Sequence, residues 1–207
     1  MSMDIVAANE ALADKTPEAI IRWALSHSDK PLVTTNFRPY ESVILHMATQ
    51  IKPDIKVLWV DSGYSTSATY RFAEQLIQRL NLNIEVYIPL QTSARRNVLM
   101  KGIPEMDTPL HDEFTQQVKL EPFQRALSEL QPDLWLNAIR QEQTEFRQNM
   151  DIVSTSKEGV IKVAPLYFWQ EAQLEAYLVK HNLPNEFDYF DPTKGVEHRE
   201  CGLHTRL

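Results

Sequence analysis

The sequence predicts an α/β protein: a single domain built on a mostly parallel, twisted sheet with helices on both faces. Short apolar runs such as 56–60 alternate along the chain with segments such as 43–51, whose apolar residues fall at helical spacing. This alternation is typical of parallel sheets that are covered on both sides. The 207 residues suit one domain with a sizeable core, and no repeat or linker divides them.

The elements can be predicted in order. A short helix is expected over 5–12, and a second helix from the N-cap Thr16, with Pro17 in its first turn, to about His27. The other predicted elements are strand 32–35, helix 43–51, strand 56–60, helix 72–80, strand 84–88, helix 119–130, strand 134–138, strand 160–163 and helix 170–181. The mixed segment 91–117 shows no clear period. Residues 1–184 are therefore expected to form the α/β domain, and 185–207 a mobile C-terminal tail.

Composition limits the function. The net charge of −7 argues against nucleic acid or an acidic membrane as the main partner, so an anionic ligand would need a local basic pocket. A single cysteine can form no intramolecular disulfide and cannot by itself hold an iron–sulfur cluster. The N-terminus lacks the pattern of a secretory signal, and no apolar run approaches the ~18 residues of a membrane span, so a cytoplasmic location is expected.

Ligands of such sheets bind beyond the carboxyl ends of the strands, which directs attention to three loops. The first loop combines hydroxyl side chains, backbone N–H groups at a helix start and a cation; its residues are Thr34, Thr35, Asn36, Phe37 and Arg38. This combination is typical of an anion site. The alternative is an ordinary helix cap beside a solvated arginine.

The second loop contains Asp61, Ser62, Gly63 and Tyr64. Asp61 and the backbone could hydrogen-bond a base or a ribose, although the same residues are also common turn chemistry, which is the favoured interpretation of this loop on its own.

In the third loop, Arg140 and Arg147 lie seven residues apart, next to Gln141. On one helical face, both guanidinium groups could reach a phosphate or sulfate, and Lys119, predicted to open its own helix, could join them. The alternative is a set of solvated helix charges.

The only cysteine, Cys201, lies near the C-terminus beside Arg199 and Glu200, with His198 and His204 three residues to either side. Neighbouring Arg and His side chains favour the thiolate, which is the reactive form of cysteine. An exposed cysteine without function is the competing interpretation. A structural zinc site is disfavoured because His198, Cys201 and His204 supply only three close ligands.

These pieces, in this order, resemble the sulfonucleotide reductases, and among them the thioredoxin-dependent enzymes of assimilatory sulfate reduction that act on 3′-phosphoadenylyl sulfate (PAPS). The similar stretches are 34–37, 60–64, 119–122, 125–127, 139–143, 163–166 and, most specifically, the Glu-Cys-Gly-Leu-His of 200–204. The resemblance covers the chain from about residue 16 and implies an adenine nucleotide alpha hydrolase-like fold. It also implies that the strand-end loops, with Lys119 and Arg199, bind the sulfonucleotide.

The resemblance further implies a mechanism. The Cys201 thiolate attacks the sulfur of PAPS and expels adenosine 3′,5′-bisphosphate, which leaves a thiosulfonate on the enzyme. Reduced thioredoxin or glutaredoxin then releases sulfite. Glu200 and His204, with Arg199, would hold or activate the thiol. The related enzymes that use adenylyl sulfate carry a cysteine pair before the position of Lys119, and its absence here implies PAPS as substrate and no bound cofactor or metal.

Three departures from the family pattern bear on the substrate pocket. Arg38 replaces a glycine, Gln141 replaces an arginine, and the stretch between Tyr189 and Cys201 is short. Two other classes of function therefore stay open: an adenylating enzyme of the ATP-pyrophosphatase group, whose pyrophosphate loop has no counterpart in 34–42, and an adenine-nucleotide-binding protein without turnover. The sequence is compatible with a homodimer.

Overall fold

The computed structural model describes residues 3–194. The helices of this range are α1 (Ile5–Leu12), α2 (Pro17–Leu25), α3 (Glu41–Ile51), α4 (Ser67–Leu80), α5 (Ser93–Met100), α6 (Pro109–Thr115), α7 (Glu121–Leu130), α8 (Glu145–Gln148) and α9 (Glu171–Lys180). The strands are β1 (Pro31–Thr35), β2 (Lys56–Val60), β3 (Asn83–Tyr87), β4 (Leu134–Leu136), β5 (Val153–Thr155) and β6 (Ile161–Val163). None of these helices is both long enough and apolar enough to cross a membrane.

The strands form one six-stranded sheet in the order β3-β2-β1-β4-β6-β5. All neighbouring pairs are parallel except β5 and β6, which confirms the mostly parallel sheet. Val33 of the central strand β1 is in register with Val57 on one side and with Leu136 on the other. The chain order reverses between β1 and β4, and such a reversal opens a crevice beyond the carboxyl ends of those two strands.

Helices cover both faces of the sheet, as predicted. Leu32 and Val33 are consecutive in β1 and therefore point to opposite faces. Val33 belongs to the larger core, with residues of α1, α2, α3, α4 and α9. Leu32 packs in the smaller core, with Phe123 and Ala126 of α7. Side chains on both faces of a central strand are thus removed from water, which explains the continuous apolar run.

Two parts of the fold were not predicted. The segment 91–117 contains α5 and α6, each begun by a threonine whose hydroxyl accepts a backbone N–H: Thr92 from Arg95 at 3.3 Å and Thr108 from His111 at 3.2 Å. Strand β5 has three residues and pairs antiparallel with β6 through a tight turn at the edge of the sheet. In that turn the Ser156 hydroxyl accepts the Val160 N–H at 3.1 Å. Neither part has the apolar periodicity on which the prediction relied.

Candidate active site

Two adjoining cavities lie at the crevice between the ends of β1 and β4. The smaller has a volume of about 90 Å³ and the larger about 660 Å³. Residues that line both are Arg38, Arg147, Asp191 and Lys194. Lys119 lines the smaller cavity and Arg140 the larger, so five cationic side chains surround the pair. The cations expected to form a local basic pocket therefore lie together at this crevice, beside the carboxylates of Glu41, Glu142, Glu171 and Asp191.

The two arginines of the third loop reach the site by a different route from the one predicted. They do not share a helix: Arg140 precedes a 3₁₀ turn (Gln141–Gln143), and Arg147 lies in α8. Both bond the Gln143 side chain, whose amide oxygen accepts the Arg140 backbone N–H and a bond from Arg147 Nη1, and both line the larger cavity. Arg147 is 3% exposed and Arg140 8%. Burial lowers the pKa of Arg140, and Arg38 lowers it further, whereas the paired Glu142 raises it.

The anion site predicted in the first loop already holds a carboxylate of the protein. The Thr35 hydroxyl and the Asn36 backbone N–H both donate to Glu41 Oε2 at 2.8 Å. Arg38 Nε pairs with Glu41 Oε1 at 3.2 Å and also donates from Nη2 to the Ala138 carbonyl at 3.3 Å. Sequence analysis missed Glu41, although an acidic residue in the first turn of a helix after a donor-rich loop is a usable signal.

The other two residues of this loop differ in role. The Thr34 hydroxyl lines the smaller cavity and accepts from Trp135 Nε1 at 2.8 Å. Phe37, predicted to bind substrate, lies instead in the core: it is fully buried, with its ring 4.9 Å from that of Trp59 and 6.4 Å from that of Phe72, in edge contact with both. Phe37 has a positive φ of 54° and lines neither cavity.

The second loop and Gln141 do not line either cavity. Asp61 Oδ1 instead accepts from the Gly63 N–H at 2.9 Å and from the Tyr70 hydroxyl at 2.7 Å, while Ser62 Oγ accepts from the Tyr64 N–H at 3.2 Å. The turn interpretation of 61–64 therefore describes the structure, and the positive φ of 79° at Gly63 fits it. Gln141 is exposed to solvent.

The first part of the predicted tail, residues 185–194, packs against the strand ends. Asn185 Oδ1 accepts the Tyr40 N–H at 2.7 Å, and the Asp188 carbonyl accepts the hydroxyls of Thr66 and Thr69 at 2.8 and 2.9 Å. The tail predicted from residue 185 therefore begins with a segment that is bonded to the α/β domain. Arg199, Glu200, Cys201 and His204 lie outside the described residues.

A buried ion pair fixes this segment to the site. Lys119 was predicted to be the first residue of a helix, but it lies in a π-helical turn (Gln116–Leu120) between α6 and α7. Its Nζ is 2.6 Å from Asp191 Oδ2. Burial would raise the pKa of Asp191, but the charge of Lys119 and hydrogen bonds from Lys119 and Thr193 outweigh it and hold the pKa at about 2. The Asp191 carboxylate is therefore ionised wherever the protein is folded near neutral pH.

This pairing predicts an acid-dependent loss of stability. The pKa of Asp191 falls from 3.8 to about 2 on folding, so the unfolded chain binds more protons between those values. The ionised Asp191 therefore adds to the free energy of unfolding above about pH 4. This stabilisation, about 2 kcal/mol, is lost as the pH falls towards 2. Denaturant unfolding across this range should show this slope in the parent protein and lose it in Asp191→Asn. The exposed Asp188→Asn should keep it; a slope that survives in Asp191→Asn would contradict the assignment.

Three comparisons place the chain among known proteins. The model of the phosphoadenosine phosphosulfate reductase domain matches residues 30–187. Phosphoadenosine 5′-phosphosulfate reductase from Synechococcus sp. is 38% identical over 95% of this chain and 95% of its own length. The crystal structure of PAPS reductase from Candida auris, a phosphate complex, superposes with a TM-score of 0.77 at 25% identity, covering 89% of this chain and 90% of that one.

A more distant neighbour shows likeness of fold alone. FMN adenylyltransferase from Candida glabrata superposes with a TM-score of 0.59 at 14% identity, over 89% of this chain and 60% of its own length. Together with the Candida auris structure and the parallel sheet, this neighbour confirms the predicted fold class. Because the domain model covers most of the sequence, and a relative of nearly equal length is more than a third identical, the chain belongs to the phosphoadenosine phosphosulfate reductase family.

Proposed function

We propose that this chain reduces PAPS to sulfite and adenosine 3′,5′-bisphosphate in assimilatory sulfate reduction, with Cys201 as nucleophile and thioredoxin or glutaredoxin as reductant. The observation that carries the proposal is the set of five cations at the sheet crevice of a chain whose net charge is −7. Four carboxylates line the same cavities, so the walls keep a small local excess of positive charge in an acidic chain, which suits a ligand with several anionic groups. A sulfonucleotide with a 3′-phosphate is such a ligand.

The buried arginines are suited to hold its phosphate groups. Arg147 and Arg140 are nearly removed from water, so their charges are weakly screened, and each guanidinium presents a planar fork of donors. Arg38, Lys119 and Lys194 add charge at the same walls. The phosphate complex of the Candida auris reductase supports an anion site in this fold.

The reach of the chain is compatible with Cys201 as nucleophile. Lys194 lines both cavities, and Cys201 follows seven residues later. At about 3.3–3.6 Å per extended residue, seven residues can span at most roughly 25 Å, which is enough for the chain to bring a thiol back to the cavity. We therefore propose that 1–184 forms the sulfonucleotide-binding domain and that 185–207 delivers the cysteine while its Lys194 and Arg199 also face the substrate, with Glu200 and His204 as catalytic partners of the thiol.

The chemistry then proceeds in two balanced steps. The Cys201 thiolate attacks sulfur, an S–S bond forms, and the S–O bond to the 5′-phosphate breaks with its electron pair leaving on adenosine 3′,5′-bisphosphate. A thiolate of the dithiol reductant next attacks Cys201 Sγ and releases sulfite, and its second thiol resolves the mixed disulfide. A chain with one cysteine needs an external dithiol for the second step. Reduced thioredoxin is available in the cytoplasm, which suits a lone catalytic thiol.

Sulfite release tests the proposal directly. The protein is incubated with PAPS or with adenylyl sulfate, each with reduced thioredoxin, with reduced glutaredoxin, and without either. We expect sulfite from PAPS with a dithiol protein, and at most one equivalent of bound sulfonate without it. A preference for adenylyl sulfate, or the absence of sulfite under every condition, would contradict the proposal.

A further inference from the structure

The Glu41 carboxylate, at the start of α3, is enclosed by hydrogen-bond donors. The residue is 7% exposed and accepts from the Thr35 hydroxyl and the Asn36 backbone N–H, both at 2.8 Å. Arg38 Nε lies 3.2 Å from its other oxygen. With the Asn36 amide oriented to satisfy its neighbours, its nitrogen donates to both Glu41 oxygens at 2.9 and 3.0 Å while its oxygen accepts from the Tyr189 hydroxyl at 2.7 Å.

These donors are the kind that bind phosphate. A hydroxyl, a backbone N–H of the loop before α3 and a guanidinium together form an anion receptor, and here the bound anion belongs to the protein. We call the space enclosed by Thr35, Asn36 and Arg38 the Glu41 niche. The niche opens on the smaller cavity, which Lys119 and Arg147 also line. An anionic ligand of that cavity therefore meets a fixed negative charge next to the cations.

We propose that Glu41 determines specificity by keeping the niche filled, so that the site rejects nucleotides with a longer 5′-phosphate chain, such as ATP. A further phosphate would have to approach a buried carboxylate, which repels it, or displace that carboxylate from all its donors. The proposal rests on the proposed function, because it assumes that the sulfonucleotide occupies these cavities through Lys119, Arg140 and Arg147. It extends that function by naming a residue that excludes a competitor.

Calorimetric titration without divalent metal tests the proposal as a ratio. The dissociation constant of ATP is divided by that of adenosine 3′,5′-bisphosphate for the full chain and for Glu41→Gln, which keeps the shape of the side chain but removes its charge. We expect this ratio to fall by about tenfold or more in Glu41→Gln. Glu142→Gln is the matched control: it also removes a carboxylate from the cavity wall, outside the niche, and should change the ratio by less than about threefold.

A second variant keeps the test decisive if the first is unstable. Glu41→Ala empties the niche, and inorganic phosphate should then raise its melting temperature more than that of the parent protein, because phosphate replaces the lost carboxylate. An unchanged ATP ratio in Glu41→Gln, or equal phosphate stabilisation of Glu41→Ala and parent, would overturn the role of Glu41. Failure of the parent protein to bind adenosine 3′,5′-bisphosphate would instead overturn the proposed function, so the two failures are distinguishable.

Discussion

Replacing Cys201 by serine should abolish sulfite release from PAPS. A serine hydroxyl has almost no anionic form at neutral pH, whereas a thiol beside basic residues does, so the first bond to sulfur is not made. Binding of adenosine 3′,5′-bisphosphate should persist, since the described cationic groups of the cavities are unchanged. The measurement is sulfite production with reduced thioredoxin, accompanied by calorimetric titration of the product nucleotide.

Mass spectrometry supplies the matching positive result. The parent protein, given PAPS without reductant, should gain the mass of one SO₃ group on the peptide that contains Cys201, and added thioredoxin should remove it. As a control, the parent protein is alkylated before PAPS is added. The chain has one cysteine, so a thiol reagent blocks Cys201 alone and should prevent the gain in mass. Turnover by Cys201→Ser comparable with that of the parent, or an unmodified Cys201 after incubation with substrate, would refute the mechanism.

The fold could be predicted wherever one pattern decided the local structure. Strand β2 spans Lys56–Val60 as predicted, because an inner strand of a covered sheet buries consecutive apolar residues, here 57–59. Helix α2 begins after Thr16 as predicted, because the cap is a local interaction, although it ends at Leu25 rather than at about His27. Strand β5 escaped prediction since its stability comes from pairing with β6, a contact that its own three residues do not encode.

The site was predictable in its charges but not in their partners. Arg38, Arg140 and Arg147 were predicted to lie at strand ends because each follows a predicted strand, and all three line the larger cavity. Phe37 was predicted to bind substrate because it is adjacent in sequence to Asn36 and Arg38, but neighbouring side chains of an irregular segment point in different directions. Asp191 was missed because it is separated from Lys119 by 72 residues, and spacing carries no information about such a pair.

The missed residues change the expected electrostatics of the site. The sequence predicted a local basic pocket from its cations, whereas the two cavities also include the carboxylates of Glu41, Glu142, Glu171 and Asp191. Of these four carboxylates, Glu41 and Asp191 are the two that are buried. Each is bonded to a cation and to hydroxyl or backbone donors. These carboxylates neutralise part of the positive charge, so binding of a multiply charged ligand depends on the cations that can still contact it. Arg147 is the most buried of the cations.

Removal of Arg147 should accordingly weaken the binding of adenosine 3′,5′-bisphosphate. Arg147 lines both cavities, and loss of a charge-assisted bond to an anion costs about 1.5–3 kcal/mol, so Arg147→Ala should raise the dissociation constant about tenfold or more. Arg140→Ala should act in the same direction at the larger cavity. Calorimetric titration measures both effects.

Controls separate a lost ligand contact from a damaged fold. Arg22→Ala removes the same charge from an exposed position of α2 and should leave the dissociation constant within about threefold of the parent value. Arg147→Lys keeps the charge but loses the planar fork, so its affinity should lie between those of the parent and Arg147→Ala. Melting curves identify variants that lose structure. Equal effects of Arg22→Ala and Arg147→Ala in folded protein would mean that long-range charge, rather than a contact in the crevice between β1 and β4, governs nucleotide binding.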